Sequence, residues 1–465
     1  MNAGVKQAIR SPRAFVAEKF IRPAQQFVST EALGGIALLA ATLVALLWAN
    51  SRWDASYFDL WAAHIDISSA RISLHLSLHD VVNDGLMTVF FFVVGLEIKR
   101  ELLLGELASL RKATLPVAAA LGGMIVPALI YTAWNAGGEG AEGWGIPMAT
   151  DIAFAVGVLA LLGRRVPFSL KVFLLALAIV DDLGAIVVIA VFYTDTLSPE
   201  AIAWAIALIG AVIVAQRAGI RSVCFYVVLG ILLWLAVFKS GIHATIAGVI
   251  LAALTPARSH FGSAEFDANS HDLQLRYRAN LAADDREGAS AALQEFERLA
   301  RDSQPPLDRL EHLLHPWTSF LIVPIFALAN AGIALDADLI RESASSAITL
   351  GIMMGLIVGK PAGIFLFAWL AVRTGLAVLP ENVSFSHILG VGLLGGIGFT
   401  VSLFITGLAF TSGEFVDEAK IGILTGSLIA GVAGVLYLLR MPGEPGAAPA
   451  DAPALVTPLS PSHDR

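Results

Sequence analysis

The sequence predicts an all-α polytopic membrane protein, and its composition is the first reason. Of its 465 residues, 57% are hydrophobic and only 15% are charged, whereas soluble proteins contain roughly 45–50% apolar and about 25% charged residues. The single cysteine, Cys224, excludes an internal disulfide and a cysteine-ligated metal cluster. The composition therefore excludes a disordered scaffold, a secreted disulfide-rich domain and a cytosolic enzyme. Nucleic acid is not an expected partner, because no basic patch is interleaved with aromatic residues.

The second observation is that the apolar residues form long blocks. A helix needs about 20 mostly apolar residues to cross the hydrocarbon of a bilayer. Twelve blocks are predicted, and eleven or thirteen also fit, because the 222–256 stretch must be divided at Lys239-Ser240-Gly241. The blocks are 32–50, 84–104, 113–134, 146–163, 169–193, 199–216, 222–238, 240–256, 316–334, 346–373, 387–410 and 419–440.

The third observation is the distribution of basic residues between the blocks. Lys and Arg are concentrated before the first block and after blocks two, four, six and eight, whereas 135–145 and 194–198 contain neither. Basic loops face the cytoplasm. The pattern therefore predicts an even number of spans, with both termini in the cytoplasm.

The chain outside the blocks has a distinct composition in each region. Residues 257–308 are rich in Ala, Arg, Asp and Glu, and we expect them to be helical around 272–302. Residues 441–465 are rich in Pro, Ala and Ser. An interfacial amphipathic helix is expected across 11–27. The predicted regions are a cytoplasmic basic segment (1–30), eight transmembrane helices (31–256), a charged cytoplasmic insertion (257–308), four more transmembrane helices (309–440) and a disordered C-terminal tail (441–465).

A β-hairpin is predicted at about 63–78, between the first two blocks. Apolar and polar residues alternate from Ile72 to His79, and Ile65 and Ile67 indicate the partner strand. This segment lies on the non-cytoplasmic side of the predicted topology. It could pair its edge with a second protomer, or it could be a lid over the helices.

Four ionisable residues interrupt the apolar blocks: Asp151, Asp181, Asp182 and Lys360. A charged side chain at the middle of a membrane helix costs about 2.5–3.5 kcal/mol on insertion scales. A buried ion pair that only fixes helix packing is one explanation. However, one lysine neutralises one carboxylate, so two carboxylates must hold a proton or bind a cation. That competition is the chemistry of cation/proton exchange.

Helix geometry and nearby motifs extend this hypothesis. Adjacent residues point about 100° apart on a helix, so Asp181 and Asp182 should have different partners. One of them should share a cation with Asp151, and the other should pair with Lys360. The spacing does not show which aspartate has which partner. The Thr150 hydroxyl could add an oxygen ligand for a hard cation. The glycine-rich 392–402 stretch could be a broken helix or a close helix contact. Its candidate glycines are Gly395, Gly396 and Gly398.

At these residues the sequence resembles the bacterial NhaA-type sodium/proton antiporters, whose architecture contains inverted repeats. Seven blocks occur in the family's order across about 30–440. They are VFFFVVGLEIKREL (89–102), ATDIAFAVGVLALLG (149–163), LALAIVDDLGAIVVIA (175–190), KSGIHATIAGV (239–249), RLEHLLHPW (309–317), IVGKPAGI (357–364) and GGIGFTVSLFI (395–405).

The resemblance implies twelve spans, with spans three to five and ten to twelve as inverted repeats, and with spans four and eleven interrupted where they cross. It implies Asp182 as the central Na⁺ ligand and proton carrier, Asp151 as the group that compensates the helix ends around the crossing, and an Asp181–Lys360 pair. The implied activity is cofactor-free, electrogenic and pH-regulated exchange of Na⁺ or Li⁺ for H⁺ in the bacterial inner membrane. Dimerisation through the 63–78 hairpin is also implied.

The resemblance further implies that Glu97, Glu101, Glu311 and His312 take part in pH activation, and that His243 modulates it. Without it, Glu97 and Glu101 would be interpreted as a solvated helix end. The chain departs from the family at the long 257–308 insertion and at the acidic Asp308. Two other classes were weighed: a passive cation channel, and an intramembrane aspartyl protease, which would leave Lys360 and the third aspartate unexplained.

Overall fold

The computed structural model describes residues 22–69, 72–194, 196–220, 222–259 and 261–441. The described chain is helical apart from one two-stranded hairpin, so the predicted all-α polytopic class is confirmed. Most of the 1–30 segment, with the amphipathic helix predicted across 11–27, lies outside the described residues. The tail beyond residue 441 also lies outside them.

Seventeen helices are labelled here in chain order. They are α1 (Arg22–Ala49), α2 (Asp54–Ala62), α3 (Leu78–Leu104), α4 (Leu110–Asn135), α5 (Ile152–Leu161), α6 (Phe168–Phe192), α7 (Pro199–Arg217), α8 (Val223–Phe238), α9 (Ile246–Leu254), α10 (Ser263–Ala282), α11 (Arg286–Asp302), α12 (Pro306–Asn330), α13 (Ala337–Ser345), α14 (Ala347–Arg373), α15 (Phe385–Gly395), α16 (Phe399–Ala409) and α17 (Gly413–Leu439).

Within the described residues, seven helices are long and apolar enough to cross a membrane, and three bent pairs raise the number to ten. The shorter helices α8 and α9 occupy the positions of the predicted seventh and eighth spans. The eighth is shorter than predicted because residues 239–245 form a turn. In that turn Gly241 has a φ of +86°, and the Ser240 hydroxyl accepts a hydrogen bond from the Ile242 amide at 3.2 Å.

Two spans are interrupted, at the positions that the resemblance implies. The 3₁₀ segment Glu139–Met148 meets α5 at an angle of 41°, and α15 meets α16 at 48°. Each broken span lies between two long helices in sequence, α4 and α6 for the first and α14 and α17 for the second. The chain therefore contains the same order of elements twice: a long helix, a broken helix and a long helix.

The two repeats are joined by a close contact between α4 and α14. A Cβ added at Gly122 would lie 2.2 Å from the carbonyl oxygen of Gly363, and a Cβ added at Gly363 would lie 2.1 Å from that of Gly122. Only the absence of a side chain allows the two backbones to approach so closely. This contact holds Lys360, on α14, against the first repeat.

Three helices contain wide, π-helical turns: Val81–Leu86 in α3, Thr318–Ile322 in α12 and Gly355–Gly359 in α14. Such turns hold one extra residue and are frequent at functional sites. In α3, the carbonyl of Asp84 accepts hydrogen bonds from the Thr88 hydroxyl and, at 3.0 Å, from the Trp234 indole. Side chains thus satisfy a backbone group that the ordinary helical pattern would have paired.

The two non-spanning units have simple structures. Strands β1 (His64–Ser69) and β2 (Ile72–Ser77) are antiparallel, with Ile65 opposite Leu76. Within 257–308, helices α10 and α11 pack together, with the Phe266 and Phe296 rings 6.4 Å apart. Helix α10 begins earlier than the predicted helical region, and a turn in which Asp284 has a φ of +57° separates it from α11.

Candidate ion-binding site

The two helix breaks contact each other through their backbones. The Asp151 amide donates a hydrogen bond to the Ile397 carbonyl at 2.7 Å, and the Thr150 hydroxyl donates to the Gly395 carbonyl at 3.0 Å. Gly398 lies close to the first break, because a Cβ there would lie 3.2 Å from the Ala149 carbonyl oxygen. The crossing thus brings helix ends from both repeats together, where their backbone groups lack the ordinary helical hydrogen-bond partners.

Asp151 binds the helix ends on both sides of the crossing. Its Oδ1 accepts a hydrogen bond from the Phe154 amide at 3.0 Å, which caps the N-terminus of α5. Its Oδ2 accepts from the Thr400 amide at 3.1 Å and from the Thr400 hydroxyl at 2.6 Å. A carboxylate is stabilised at a helix N-terminus by the backbone N–H groups and the helix dipole. Asp151 therefore connects α5 to α16.

Asp181 and Asp182 are adjacent on α6 but have different surroundings. Lys360 forms an ion pair with Asp181 Oδ2 and also donates to the Met148 carbonyl. Both side chains of this pair are fully buried. Asp181 Oδ1 is buried and has no hydrogen-bond partner among the residues that the structure describes. Lys360 is thus paired with Asp181, whereas Asp182 lines a cavity together with Asp151 and Glu97.

Asp182 and Asp151 line the same cavity, which has a volume of about 50 Å³. Its apolar walls come from α3, α5, α12 and α16. Thr150, one residue before Asp151, also lines it, whereas Asp181 is absent from its lining. The polar lining residues are Glu97, Thr150, Asp151, Asp182, His315, Thr318, Ser319 and Thr400.

One end of the cavity carries ionisable groups from α3 and α12. His315 Nε2 lies 3.8 Å from Glu97 Oε1. One turn away, Arg100 forms an ion pair with Glu311, which is 2% exposed and has its Oε2 unpartnered within the described chain. These groups lie where basic loops join the helices. We call this end the charged mouth of the cavity.

The other residues predicted for pH activation lie in two places. Glu101 is near the charged mouth: its Oε1 is 3.8 Å from Arg100, and its Oε2 accepts from the Glu106 amide at 3.1 Å. His312 is on the same helix as Glu311 and is exposed. His243 lies apart from the charged mouth, just before the N-terminus of α9, and its Nε2 contacts the carbonyl of Tyr193. Lys99, which is close to the charged mouth, donates to carbonyls at the opposite end of α9.

The arrangement can hold a hard cation or protons. Carboxylate and hydroxyl oxygens are the ligands that such cations prefer. Over the described ranges, no group of three or more His, Cys, Asp or Glu is placed to hold a metal ion. Asp182 and Asp151 thus line the cavity with two carboxylates.

Three residues near the cavity were not singled out from the sequence. Thr400 follows the glycines of the second break, His315 follows His312 within RLEHLLHPW, and Arg100 was counted only as a loop charge. A polar residue two positions after the last glycine of a helix break is a usable signal for Thr400. Helical spacing was a signal for His315, which is one turn from Glu311.

Comparison with known proteins assigns the family. The family model for "Na+/H+ antiporter 1" matches residues 25–438. The chain is 46% identical over 427 residues to the Na(+)/H(+) antiporter NhaA of Syntrophobacter fumaroxidans, covering 90% of each protein. It is 48% identical over 421 residues to that of Wolinella succinogenes, covering 89% of this chain and 92% of the relative. The resemblance inferred from the motifs is confirmed: this multi-pass membrane protein belongs to the Na⁺/H⁺ antiporter 1 family.

Proposed function

We propose that the protein is an electrogenic, pH-regulated antiporter that exports cytoplasmic Na⁺ or Li⁺ in exchange for external protons. Members of its family are cofactor-free transporters and not enzymes, and they exchange Na⁺ for H⁺. The use of Li⁺, the direction of transport, the electrogenicity and the pH regulation are part of our proposal. The observation that carries the finer proposal is the pairing of Lys360 with Asp181, while Asp182 and Asp151 face one cavity.

In this proposal, Na⁺ and H⁺ compete for the same oxygens. When the cavity is reached from the cytoplasm, Na⁺ binds between Asp182 and Asp151, with Thr150 as a further oxygen ligand, and displaces the proton that Asp182 carried. A cavity of about 50 Å³ lined by polar groups is large enough for water beside an ion. When the site is reached from outside, a proton displaces Na⁺. Simultaneous occupation is disfavoured because the two cations repel each other at short distance.

The Asp181–Lys360 pair is proposed to carry a second proton. The two groups are buried together, so a conformational change that separates them would leave either charge without its partner, at a cost of several kcal/mol. If Lys360 releases its proton as the pair separates, the charge of Asp181 is compensated by the Na⁺ bound beside Asp182, and Lys360 takes up a proton again when Na⁺ leaves. One Na⁺ would then leave for two protons entering, and net charge would cross the membrane in each cycle.

We place pH activation at the charged mouth. Glu97, Glu101, Glu311 and His312 lie there with Arg100 and His315. Histidine changes its charge between about pH 5 and 8, so titration of these residues would alter the ion pairs that join α3 to α12. His243, at the other end of α9, would act separately through its contact with the loop after α6.

The proposed orientation places the basic loops and both termini in the cytoplasm of a bacterium, in the inner membrane. The charged mouth then faces the cytoplasm, and the β-hairpin faces the outside. This orientation supports export of Na⁺, because the cavity has its ionisable entrance on the cytoplasmic side.

The test is Na⁺-driven pH change in proteoliposomes with Asp182→Asn. The amide keeps the shape but can neither hold a negative charge nor exchange a proton, so we expect transport to fall to the level of empty vesicles. Asp59→Asn, which changes an exposed aspartate of α2, is the matched control and should transport normally.

Normal exchange by Asp182→Asn would contradict the proposal. A passive cation channel would be revealed by Na⁺ flux with no coupled proton movement, and neither that reading nor an aspartyl protease is favoured by the family match. Electrogenicity has its own readout, because a membrane potential imposed with K⁺ and valinomycin should change the rate.

A further inference from the structure

The first half of the broken span in the first repeat is held by side chains from other elements. This segment, Glu139–Met148, is a 3₁₀ helix. Its carbonyls accept hydrogen bonds from three hydroxyl groups and one ammonium group. The donors are Tyr131 of α4 to Gly140 (2.7 Å), Tyr193 to Glu142 (2.8 Å), Ser402 of α16 to Ile146 (2.7 Å) and Lys360 of α14 to Met148. The position of the segment is therefore set by the elements around it.

Tyr193 makes two hydrogen bonds with this segment. Its hydroxyl donates to the Glu142 carbonyl at 2.8 Å and accepts from the Gly145 amide at 3.2 Å. Its ring is stacked on that of Trp144, with centroids 6.4 Å apart and an interplanar angle of 22°. A Cβ at Gly145 would lie 2.7 Å from the Tyr193 hydroxyl. The phenol therefore fits closely against the segment, and a side chain at Gly145 would displace it.

Tyr193 also belongs to the helix on the opposite side of the ion site. It directly follows the last residue of α6, the helix that carries Asp182. The 3₁₀ segment leads through Thr150 to Asp151. Tyr193 thus connects the two elements that bring Asp182 and Asp151 to the cavity. It lies about 16 Å from Asp182 along the axis of α6, and it is absent from the lining of the cavity.

The backbone of Tyr193 contacts a third element, the turn at 239–245. Carbonyls at the end of a helix lack an intrahelical donor, and the Tyr193 carbonyl is contacted by His243 Nε2. The turn also packs against the loop after α6, because a Cβ at Gly241 would lie 2.3 Å from the Thr196 carbonyl oxygen. A displacement of this turn therefore reaches Tyr193 through backbone contacts.

We propose that Tyr193 is a positioning residue for Na⁺ binding. Its phenol sets the separation between Asp182 on α6 and Asp151 after the 3₁₀ segment, and its carbonyl connects this separation to the turn at 239–245. The inference rests on the proposed antiport, in which Na⁺ binds between the two carboxylates. A binding site works only while its ligands are held within about 0.5 Å of the productive geometry. Tyr193 therefore acts on Na⁺ affinity without touching the ion.

The experiment measures the apparent KM for Na⁺ and the maximal rate of antiport in proteoliposomes. Tyr193→Phe keeps the ring against Trp144 but removes both hydrogen bonds of the hydroxyl. The apparent KM should rise about tenfold, the factor that corresponds to one lost hydrogen bond. The maximal rate at saturating Na⁺ should stay within about twofold, since only binding is altered. A purely structural role would lower the amount of folded protein and leave the KM unchanged.

Gly145→Ala tests the same contact from the other side. Its methyl group would displace the Tyr193 hydroxyl, so the KM should rise by a similar factor. In Tyr193→Phe the hydroxyl is gone, and adding Gly145→Ala should then change the KM by less than about twofold, because two changes that break one contact are not additive. His243→Ala should likewise raise the KM of the unmodified protein and have little further effect in Tyr193→Phe.

Matched controls make the same chemical changes elsewhere. Tyr226→Phe removes a hydroxyl of α8 that donates to the Ile220 carbonyl at 2.8 Å. Gly138→Ala adds a methyl group just before the 3₁₀ segment, where the nearest atom is the Asn135 carbonyl oxygen at 3.6 Å, an ordinary contact distance. Neither control should change the KM for Na⁺. Thermal melting of each purified variant checks that the protein is folded.

The inference is overturned if folded Tyr193→Phe has the KM of the controls. It is also overturned if Gly145→Ala raises the KM equally with and without the Tyr193 hydroxyl, since the methyl group would then act by another route. A full additional effect of His243→Ala in Tyr193→Phe would contradict the connection to the turn. Failure of the antiport proposal looks different, because then the unmodified protein would show no Na⁺-driven proton movement.

Discussion

At the residue scale, the site is defined by one lysine that pairs with only one of three buried aspartates. Lys360 neutralises the charge of Asp181 and also donates to the carbonyl of Met148, so it connects α14 to two elements of the first repeat. Asp151 has its oxygens bound to helix ends. In the proposed mechanism, Asp182 is the carboxylate whose charge the transported ion balances.

Lys360→Ala should therefore destabilise the protein. Removing one partner of a buried pair typically costs about 3–5 kcal/mol, because the other charge remains buried. The melting temperature of the purified protein measures this effect, with Lys171→Ala as the control for loss of a more exposed lysine. A variant with Asp181→Asn and Lys360→Met together should recover much of the stability but not the second proton. Unchanged melting of Lys360→Ala would contradict the role of the pair.

At the element scale, the position of α14 depends on a contact that tolerates no side chain. Gly363 approaches Gly122 of α4 so closely that one methyl group would meet backbone atoms, which cannot rotate away. Lys360 is on the same helix, less than one turn from Gly363. The position of Lys360 therefore depends on the packing of α14 against α4.

Gly363→Ala should separate α4 from α14 and lower stability by about 1–3 kcal/mol, the usual cost of overpacking a core. Na⁺ affinity should fall as well, because Lys360 would shift. Gly210→Ala is the matched control: a Cβ there meets nothing within 4 Å, and alanine is the better helix former. Thermal melting and Na⁺-dependent transport are compared for both. Equal melting of the two variants would show that the contact can relax.

At the scale of the whole molecule, we predict a dimer held by the β-hairpin. The pairing of β1 with β2 leaves strand edges that a second copy can extend. Replacing 64–77 with a short Gly-Ser linker should convert the detergent-solubilised protein to a monomer, as measured by light scattering. The intact protein is the control. Persistence of a dimer after the replacement would show that the hairpin is a lid and that the interface lies elsewhere.

The sequence could predict most of this architecture, because apolar blocks and basic loops report on the bilayer directly. It was wrong about the length of the eighth span, where the turn at 239–245 shortens α9. Mid-block charges identified the site residues. Helical geometry could not identify their partners, because the angle of about 100° between adjacent residues shows only that the side chains of Asp181 and Asp182 point in different directions. The partner of Thr400 could not be predicted, because its contact with Asp151 joins residues distant in sequence.

The wide turns described above have a consequence for motion. Each accommodates one surplus residue within a helix and interrupts the ordinary hydrogen-bond pattern locally, as at the Asp84 carbonyl in α3. A wide turn of this kind can migrate. As it moves, the segment between its old and new positions advances by about 1.5 Å and rotates by about 100° for each residue. If the wide turns that contain Asp84, begin at Thr318 and end just before Lys360 moved in this way, side chains in three helices would turn while the helix ends stayed in place.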